Sequence, residues 1–236
     1  MSPEEIYAAF RRPIDAFPEA AFQEALKRSD EMRPLLLEAL KKDWANSGSK
    51  SDGEGYGSFY ALLLLAKWRS QELHHCLLEF LSGSEEQLDD VFADTWTEYF
   101  ALYLRETFDG DHEGLFAVLR NHSCGEHSRH VVNKALFELC VLGQLDRELF
   151  VKLLTEQLND ERNSEYLCET WAYKLFYLCP LESEDLMRES GLFTKEEFLA
   201  QVALGVEGCL ADYRQNYRIQ DLTTCVTPFS LPRLTV

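Results

Sequence analysis

A ten-residue segment, NHSCGEHSRH (residues 121–130), concentrates side chains that can bind metal ions. His122, Cys124, His127 and His130 supply three imidazoles and one thiol, a ligand set that zinc accepts in a tetrahedral arrangement. The spacing H-x-C-x2-H-x2-H matches no structural zinc pattern, and most His-bearing loops bind nothing. Two interpretations remain: a polar surface loop before the next helix, which we favour, and a zinc site in a metal-binding protein or metal-dependent hydrolase.

Three acidic residues follow one another at intervals of four. Asp90, Asp94 and Glu98 are predicted to share one face of a helix that begins after Ser84. Like charges at this spacing destabilise a helix by roughly 0.2–0.5 kcal/mol per pair, and a bound cation or basic peptide would relieve that repulsion. The stripe is therefore a candidate contact surface for a partner. The alternative, which we favour, is a solvated face of an acidic protein.

No local pattern of catalytic residues accompanies these groups. The sequence contains neither G-x-S-x-G nor a papain-like cysteine segment. In a chain with 41 Asp and Glu residues, carboxylates that are close in sequence say little about acid–base chemistry. We therefore predict that the protein is not an enzyme.

The elements that position these residues are predicted to be helices. A Ser or Thr followed three residues later by Glu or Gln is typical of a helix N-terminus, and it occurs at residues 2–5, 84–87 and 194–197. Pro18 and Pro34 each precede a periodic apolar run, which favours the first position of a helix. Strand-like alternation is confined to a short stretch of the C-terminal tail. We predict an all-α fold.

Internal repeats organise the helices into pairs. Three apolar runs are each followed, fourteen residues later, by a second apolar run. The first runs start at Ala101, Ala135 and Ala172, and the second runs start at Leu115, Leu149 and Leu186. Both series step by 34 and then by 37 residues, and a fourth pair fits upstream at Ala61 and Leu77. This register predicts an α-solenoid of antiparallel helical hairpins, in which each hairpin buries its face against its neighbours.

The repeats divide the chain into four predicted regions. Residues 1–45 form an N-terminal helical cap, residues 46–58 a flexible Gly/Ser-rich loop, and residues 59–214 the repeats. Residues 215–236 form an irregular tail, in which Pro228 and Pro232 forbid a helix.

The same repeats carry a family resemblance. The segments SGSEEQLDDVFADTWTEYFALYLRETFDGD, HVVNKALFELCVLGQLDRELFVKLL and NSEYLCETWAYKLFYLCPLESEDLMRESGLFT resemble the bacterial domain-of-unknown-function family 1186, with a match from about Phe17 to Gly208. The resemblance implies a HEAT-like helical fold and no established activity. Some members of that family continue into a cysteine-rich, metal-binding module, whereas the last residues of this chain contain only Cys225.

Charge limits the possible partners. With 23 Lys and Arg against 41 Asp and Glu, the net charge of −18 disfavours nucleic acid and anionic membranes and favours a basic protein or peptide. The N-terminus MSPEEIYAAFRR does not resemble a signal peptide, and the apolar run at Tyr60–Ala66 is too short to span a bilayer. We expect a cytoplasmic, non-enzymatic scaffold for protein or peptide interaction, with zinc as a cofactor only under the metal alternative.

Overall fold

The computed structural model describes residues 1–12, 17–48, 56–178, 185, 188, 191 and 193–216. These residues form helices and contain no strand, so the prediction of an all-α protein is confirmed. The helices are α1 (Pro3–Phe10), α2 (Glu19–Lys27), α3 (Ser29–Ala45), α4 (Gly57–Lys67), α5 (Gln71–Leu81), α6 (Glu85–Phe92), α7 (Thr95–Glu106), α8 (Glu113–Arg120), α9 (Glu126–Val141), α10 (Arg147–Leu158), α11 (Glu165–Leu178) and α12 (Lys195–Asn216).

Three helices begin at the side-chain caps that the sequence predicts. Ser2 Oγ accepts the backbone N–H of Glu5 at 3.2 Å, while the Ser2 N–H donates to the Glu5 carboxylate at 2.7 Å. Thr194 and Glu197 make the same reciprocal pair, at 3.1 and 2.8 Å. Ser84 Oγ accepts the N–H of the residue three positions later at 3.1 Å. Each cap satisfies an N–H group that helix geometry leaves without an intrahelical acceptor.

The two prolines do not occupy the first helical position, so that prediction was wrong. Pro18 immediately precedes α2, and Pro34 lies inside α3, which already begins at Ser29. A proline inside a helix removes one backbone hydrogen bond. The helix forms through it because α3 buries a continuous apolar face that includes Met32 and Leu36.

The first compact unit lies within residues 1–109 and is built around α4. Residues 58–66 of this helix are all buried, and α1, α3, α5, α6 and α7 contact it. Phe10 of α1 stacks on Tyr60 with ring centroids 4.9 Å apart. α5 and α6 also pack on α7, so this unit encloses its own apolar core.

The second compact unit lies within residues 110–219. Its α9 and α11 pack against each other, and α10 contacts both of them. α8 packs on α9, and α12 packs on α11. Ala135 and Ala172, which the repeat register makes equivalent, are both buried, on α9 and α11 respectively. Trp171, also on α11, has no exposed surface.

The predicted loop and tail have different boundaries in the structure. α4 begins at Gly57, two residues inside the predicted loop, because Ser58 Oγ donates a hydrogen bond to Asp43 and fixes this end of the helix. α12 is kinked at Gly205, whose φ is 69°, and its second part continues to Asn216, so residues 215–216 are helical rather than part of the tail. Residues 49–55 of the loop, residues 217–236 of the tail and the second helix predicted near Leu186 lie outside the described residues.

No helix in the described part of the chain combines the length and the apolar character that a bilayer-spanning segment requires.

Candidate functional site

The structure separates the four predicted metal ligands. His122 lies in the loop after α8, and its Nε2 is 3.0 Å from the Asp160 carboxylate. Cys124, in the same loop, is buried. His127 and His130 are already within α9, and their rings flank one tyrosine, Tyr166, at centroid distances of 5.9 and 5.8 Å. The segment is therefore half loop and half helix.

The partners of these residues explain the separation. Asp160 also accepts hydrogen bonds from the Arg162 guanidinium at 2.6 and 2.9 Å, and these bonds hold the pKa of Asp160 well below its usual range. His122 is thus directed toward a carboxylate 38 residues away rather than toward Cys124. Within the described residues, no three His, Cys, Asp or Glu side chains come together in a way that could hold a metal ion.

The acidic stripe does not lie on one helix, so that prediction was wrong. α6 ends at Phe92 and α7 begins at Thr95, and Ala93 between them has a φ of 47°. A positive φ is incompatible with a continuous right-handed helix. Asp90 therefore belongs to α6, Asp94 lies between the helices and Glu98 belongs to α7.

Two aspartates near the end of α6 hold structural contacts. The Asp89 carboxylate accepts a hydrogen bond from the indole N–H of Trp96 at 2.7 Å, and Trp96 is buried. Asp90 accepts a hydrogen bond from the backbone N–H of Gly48. Through these contacts Asp89 helps to position α7, and Asp90 helps to position the residues that follow α3.

A cavity of about 640 Å³ lies in the second unit, lined by α9, α11 and residues 193–197. Its apolar wall includes Phe176 and Phe193, whose parallel rings are 4.2 Å apart. The hydroxyl groups of Tyr173 and Tyr177 lie 3.1 Å from each other on the same lining. The volume is within the range of about 300–1,000 Å³ typical of small-molecule sites.

Lys174 brings a cationic group to this apolar cavity. Its Nζ lies 4.7 Å from the ring centre of Phe137 and 5.7 Å from that of Tyr213. Burial lowers the pKa of Lys174 to about 8, although the nearby carboxylate of Glu138 opposes the shift. The ammonium makes no hydrogen bond or ion pair with any residue that the structure describes.

His130 is the one predicted metal ligand on this cavity, which Lys174 also lines. Burial, with the charges of Lys174, Lys134 and His127, lowers the pKa of His130 to about 4, so the imidazole is neutral at neutral pH. Its Nδ1 is buried and has no hydrogen-bond partner in the described part of the chain. A neutral imidazole offers one donor and one acceptor, so Nδ1 can serve a ligand in either role.

One side of α11 is exposed and carries acidic and aromatic residues. Glu165 and Glu169 lie one turn apart, and Tyr166 and Tyr173 beside them are 40% and 39% exposed. We call these four residues the α11 outer face. This face adjoins the cavity, because Glu169 and Tyr173 also line it beside Lys174.

Sequence reasoning missed Lys174 and the α11 outer face. Lys174 is the only charge in the run AYKLFYL, and a single charge on an otherwise apolar helix segment was the available signal. For the α11 outer face, the available signal was a set of acidic and aromatic residues at helical spacing. Neither pattern could be placed beside a cavity before the packing of α9 against α11 was known.

The architecture defines an all-helical protein with an aromatic-walled cavity in its second unit. The chain belongs to the family described as "Protein of unknown function (DUF1186)", whose family model matches residues 1–219. This match confirms the family resemblance seen in the sequence and extends it toward both ends. No curated protein and no solved structure matches the chain.

Proposed function

We propose that this protein is a cytoplasmic, non-enzymatic interaction scaffold, a HEAT-like α-solenoid of antiparallel hairpins that binds a basic protein or peptide. One observation carries the proposal: the same order of helix packing recurs in both compact units. The net charge of −18 supports the choice of a basic partner.

The recurring order follows the sequence repeats. In the first unit, α4 packs beside α7, and α5 contacts both. In the second unit, α9 packs beside α11, and α10 contacts both. The repeat register makes α4, α7, α9 and α11 the first helices of successive hairpins. Stacked first helices, each pair bridged by a second helix, are the expected packing of a solenoid, which offers extended surfaces to partners.

The α11 outer face is the contact surface that we propose for the basic partner. A lysine or arginine side chain could pair with Glu165 or Glu169 and lie over Tyr166 or Tyr173, which combines ion pairing with cation–π attraction. Binding would also relieve the repulsion between two carboxylates one turn apart. The proposed surface therefore replaces the acidic stripe, which the break between α6 and α7 divides.

The test is fluorescence anisotropy with a fluorescein-labelled peptide in which arginine alternates with serine. A second peptide with glutamate in place of arginine is the charge control. We expect only the arginine peptide to bind, with an affinity that falls about tenfold or more between low and high salt, because exposed ion pairs are screened. Equal binding of both peptides, or no binding of either, would overturn the proposal.

A matched pair of variants locates the surface. Glu165→Lys/Glu169→Lys reverses two charges on the α11 outer face, and Asp94→Lys/Glu98→Lys reverses two charges of the divided stripe. Both variants change the net charge equally, so a difference between them reports position. We expect about tenfold weaker peptide binding in the first variant only. A loss confined to the second would move the contact surface to α6 and α7.

A further inference from the structure

We propose that the cavity lined by Lys174 and His130 is a binding site for a small organic carboxylate with a flat, apolar body. Nothing in the scaffold function requires such a site. The inference rests on two side chains that line the same cavity and carry polar groups, the Lys174 ammonium and the His130 Nδ1, that the described residues leave without hydrogen-bond partners.

The first group is the Lys174 ammonium, which carries three N–H donors. Its described surroundings are the ring faces of Phe137 and Tyr213, which attract a cation and accept no conventional hydrogen bond. A half-buried charge without an acceptor is costly, so a ligand oxygen that accepts from Nζ gains more here than it would on an exposed lysine.

The second group is the buried Nδ1 of His130. In the tautomer that carries its proton on Nδ1, the neutral imidazole donates one hydrogen bond. A carboxylate has two oxygens, so one oxygen can accept from Lys174 while the other accepts from His130. The two residues come from α9 and α11, whose packing in the second unit holds both on the same cavity lining.

The described lining carries one cationic side chain, Lys174, which matches a ligand with one carboxylate better than a multiply charged anion. Lys174 provides one positive charge, and the neutral His130 provides none. Two exposed glutamates also line the cavity: Glu169, and Glu197, whose carboxylate is held by the N–H and hydroxyl of Thr194. A dianion such as phosphate would be repelled by these carboxylates more strongly than a monoanion, whose single charge the Lys174 ammonium can balance.

The aromatic side chains of the cavity wall determine which apolar group the carboxylate ligand would carry. The stacked rings of Phe176 and Phe193 offer a flat apolar surface, and Tyr177 is buried beside them. A planar ring or short unsaturated chain packs on such a surface through dispersion and aromatic contact.

The experiment compares three probes that share a benzyl group and differ in charge: phenylacetate, phenylacetamide and phenethylamine. Binding is measured by isothermal titration calorimetry and ligand-observed NMR in the absence of any peptide, so the result is separate from the scaffold proposal. We expect phenylacetate to bind with a dissociation constant below about 1 mM and the other two probes to bind at least about tenfold more weakly.

Lys174→Met is the decisive variant, with Lys152→Met on the exposed side of α10 as its control. We expect phenylacetate binding to fall about tenfold or more in the first and to be unchanged in the second. Thermal unfolding checks that both variants fold. If Lys174→Met does not fold, His130→Phe replaces it as the test of phenylacetate binding. Binding of phenethylamine as tight as that of phenylacetate, retention of binding in folded Lys174→Met, or no binding of any probe would overturn the proposal.

Discussion

The guanidinium carbon of Arg129 lies 5.0 Å from the ring centre of Trp171, and both side chains are buried in the second unit. The same guanidinium donates to the backbone oxygen of Leu119 at 2.8 Å, to Gln157 at 3.1 Å and to Asn163 at 2.6 Å. Arg129 therefore ties α9 to α8, α10 and α11 at once. Two of these helices, α9 and α11, line the cavity, so the contact between Arg129 and Trp171 joins the helices that form it.

We expect Arg129→Lys to lower the free energy of unfolding by about 2 kcal/mol or more, because a lysine cannot reproduce the planar fork of donors in a buried position. Urea unfolding followed by circular dichroism measures the change. Arg162→Lys is the matched control: its contact with Asp160 is at the surface, with 72% of the arginine side chain exposed, so we expect a change within about 1 kcal/mol. Equal losses in the two variants would contradict the role of Arg129.

His130 predicts a pH dependence of stability. Its folded-state pKa is lowered to about 4, below that of an unfolded histidine, so the unfolded chain binds more protons as pH falls from 6.5 toward 4. The free energy of unfolding should therefore decrease on acidification. Because the side chain is only half-buried, we expect the wild-type protein to lose about 1 kcal/mol more than His130→Gln between pH 7 and pH 5. Parallel losses in both proteins would show that His130 is protonated in the folded state.

Lys174→Met is expected to stabilise the unliganded protein. At pH 7 the lysine is charged in both states, and burial without a hydrogen-bond acceptor in the described surroundings disfavours the charged form. An apolar side chain of similar length removes that penalty, so the free energy of unfolding should rise by about 1 kcal/mol. Lys152→Met, on an exposed position, should change it by less than about 0.5 kcal/mol.

The advantage of Lys174→Met should shrink above pH 8. The folded-state pKa of about 8 lies below the usual 10.5, so wild-type stability recovers as the pH rises through this interval and the folded protein loses the proton first. Denaturant unfolding at pH 7 and pH 10 measures both values. A destabilised Lys174→Met at pH 7 would show that the aromatic contacts outweigh the cost of burial.

We expect that replacing Ala93 with glycine stabilises the protein. Its φ of 47° places a Cβ atom in a backbone region that L-residues disfavour. Ala93→Gly should therefore raise the melting temperature, with a gain of about 1 kcal/mol in the free energy of unfolding. Ala117→Gly on the exposed side of α8 should have the opposite sign and a similar size, because glycine is unfavourable inside a helix. Destabilisation by both changes would mean that α6 and α7 are continuous.

Local signals accounted for much of the fold. Ser2, Ser84 and Thr194 begin helices as predicted, because a cap depends on a side chain and an N–H group only three residues apart. The all-α class followed from the same short-range patterns. The break at Ala93 was missed because a charge period of four residues continues across it, whereas the burial of Phe92 and Trp96 on both sides decides the turn.

The sequence by itself determined the all-α class, three helix N-termini and the family, because periodicity and capping act over a few residues. Only the tertiary structure decided which polar groups meet. His122 pairs with Asp160 across 38 positions, and His130 reaches the cavity of Lys174 through the packing of α9 on α11. Spacing within one segment suggested that His122 and His130 share a metal, but each side chain follows its own helix or loop into a different environment, and burial then sets its chemistry.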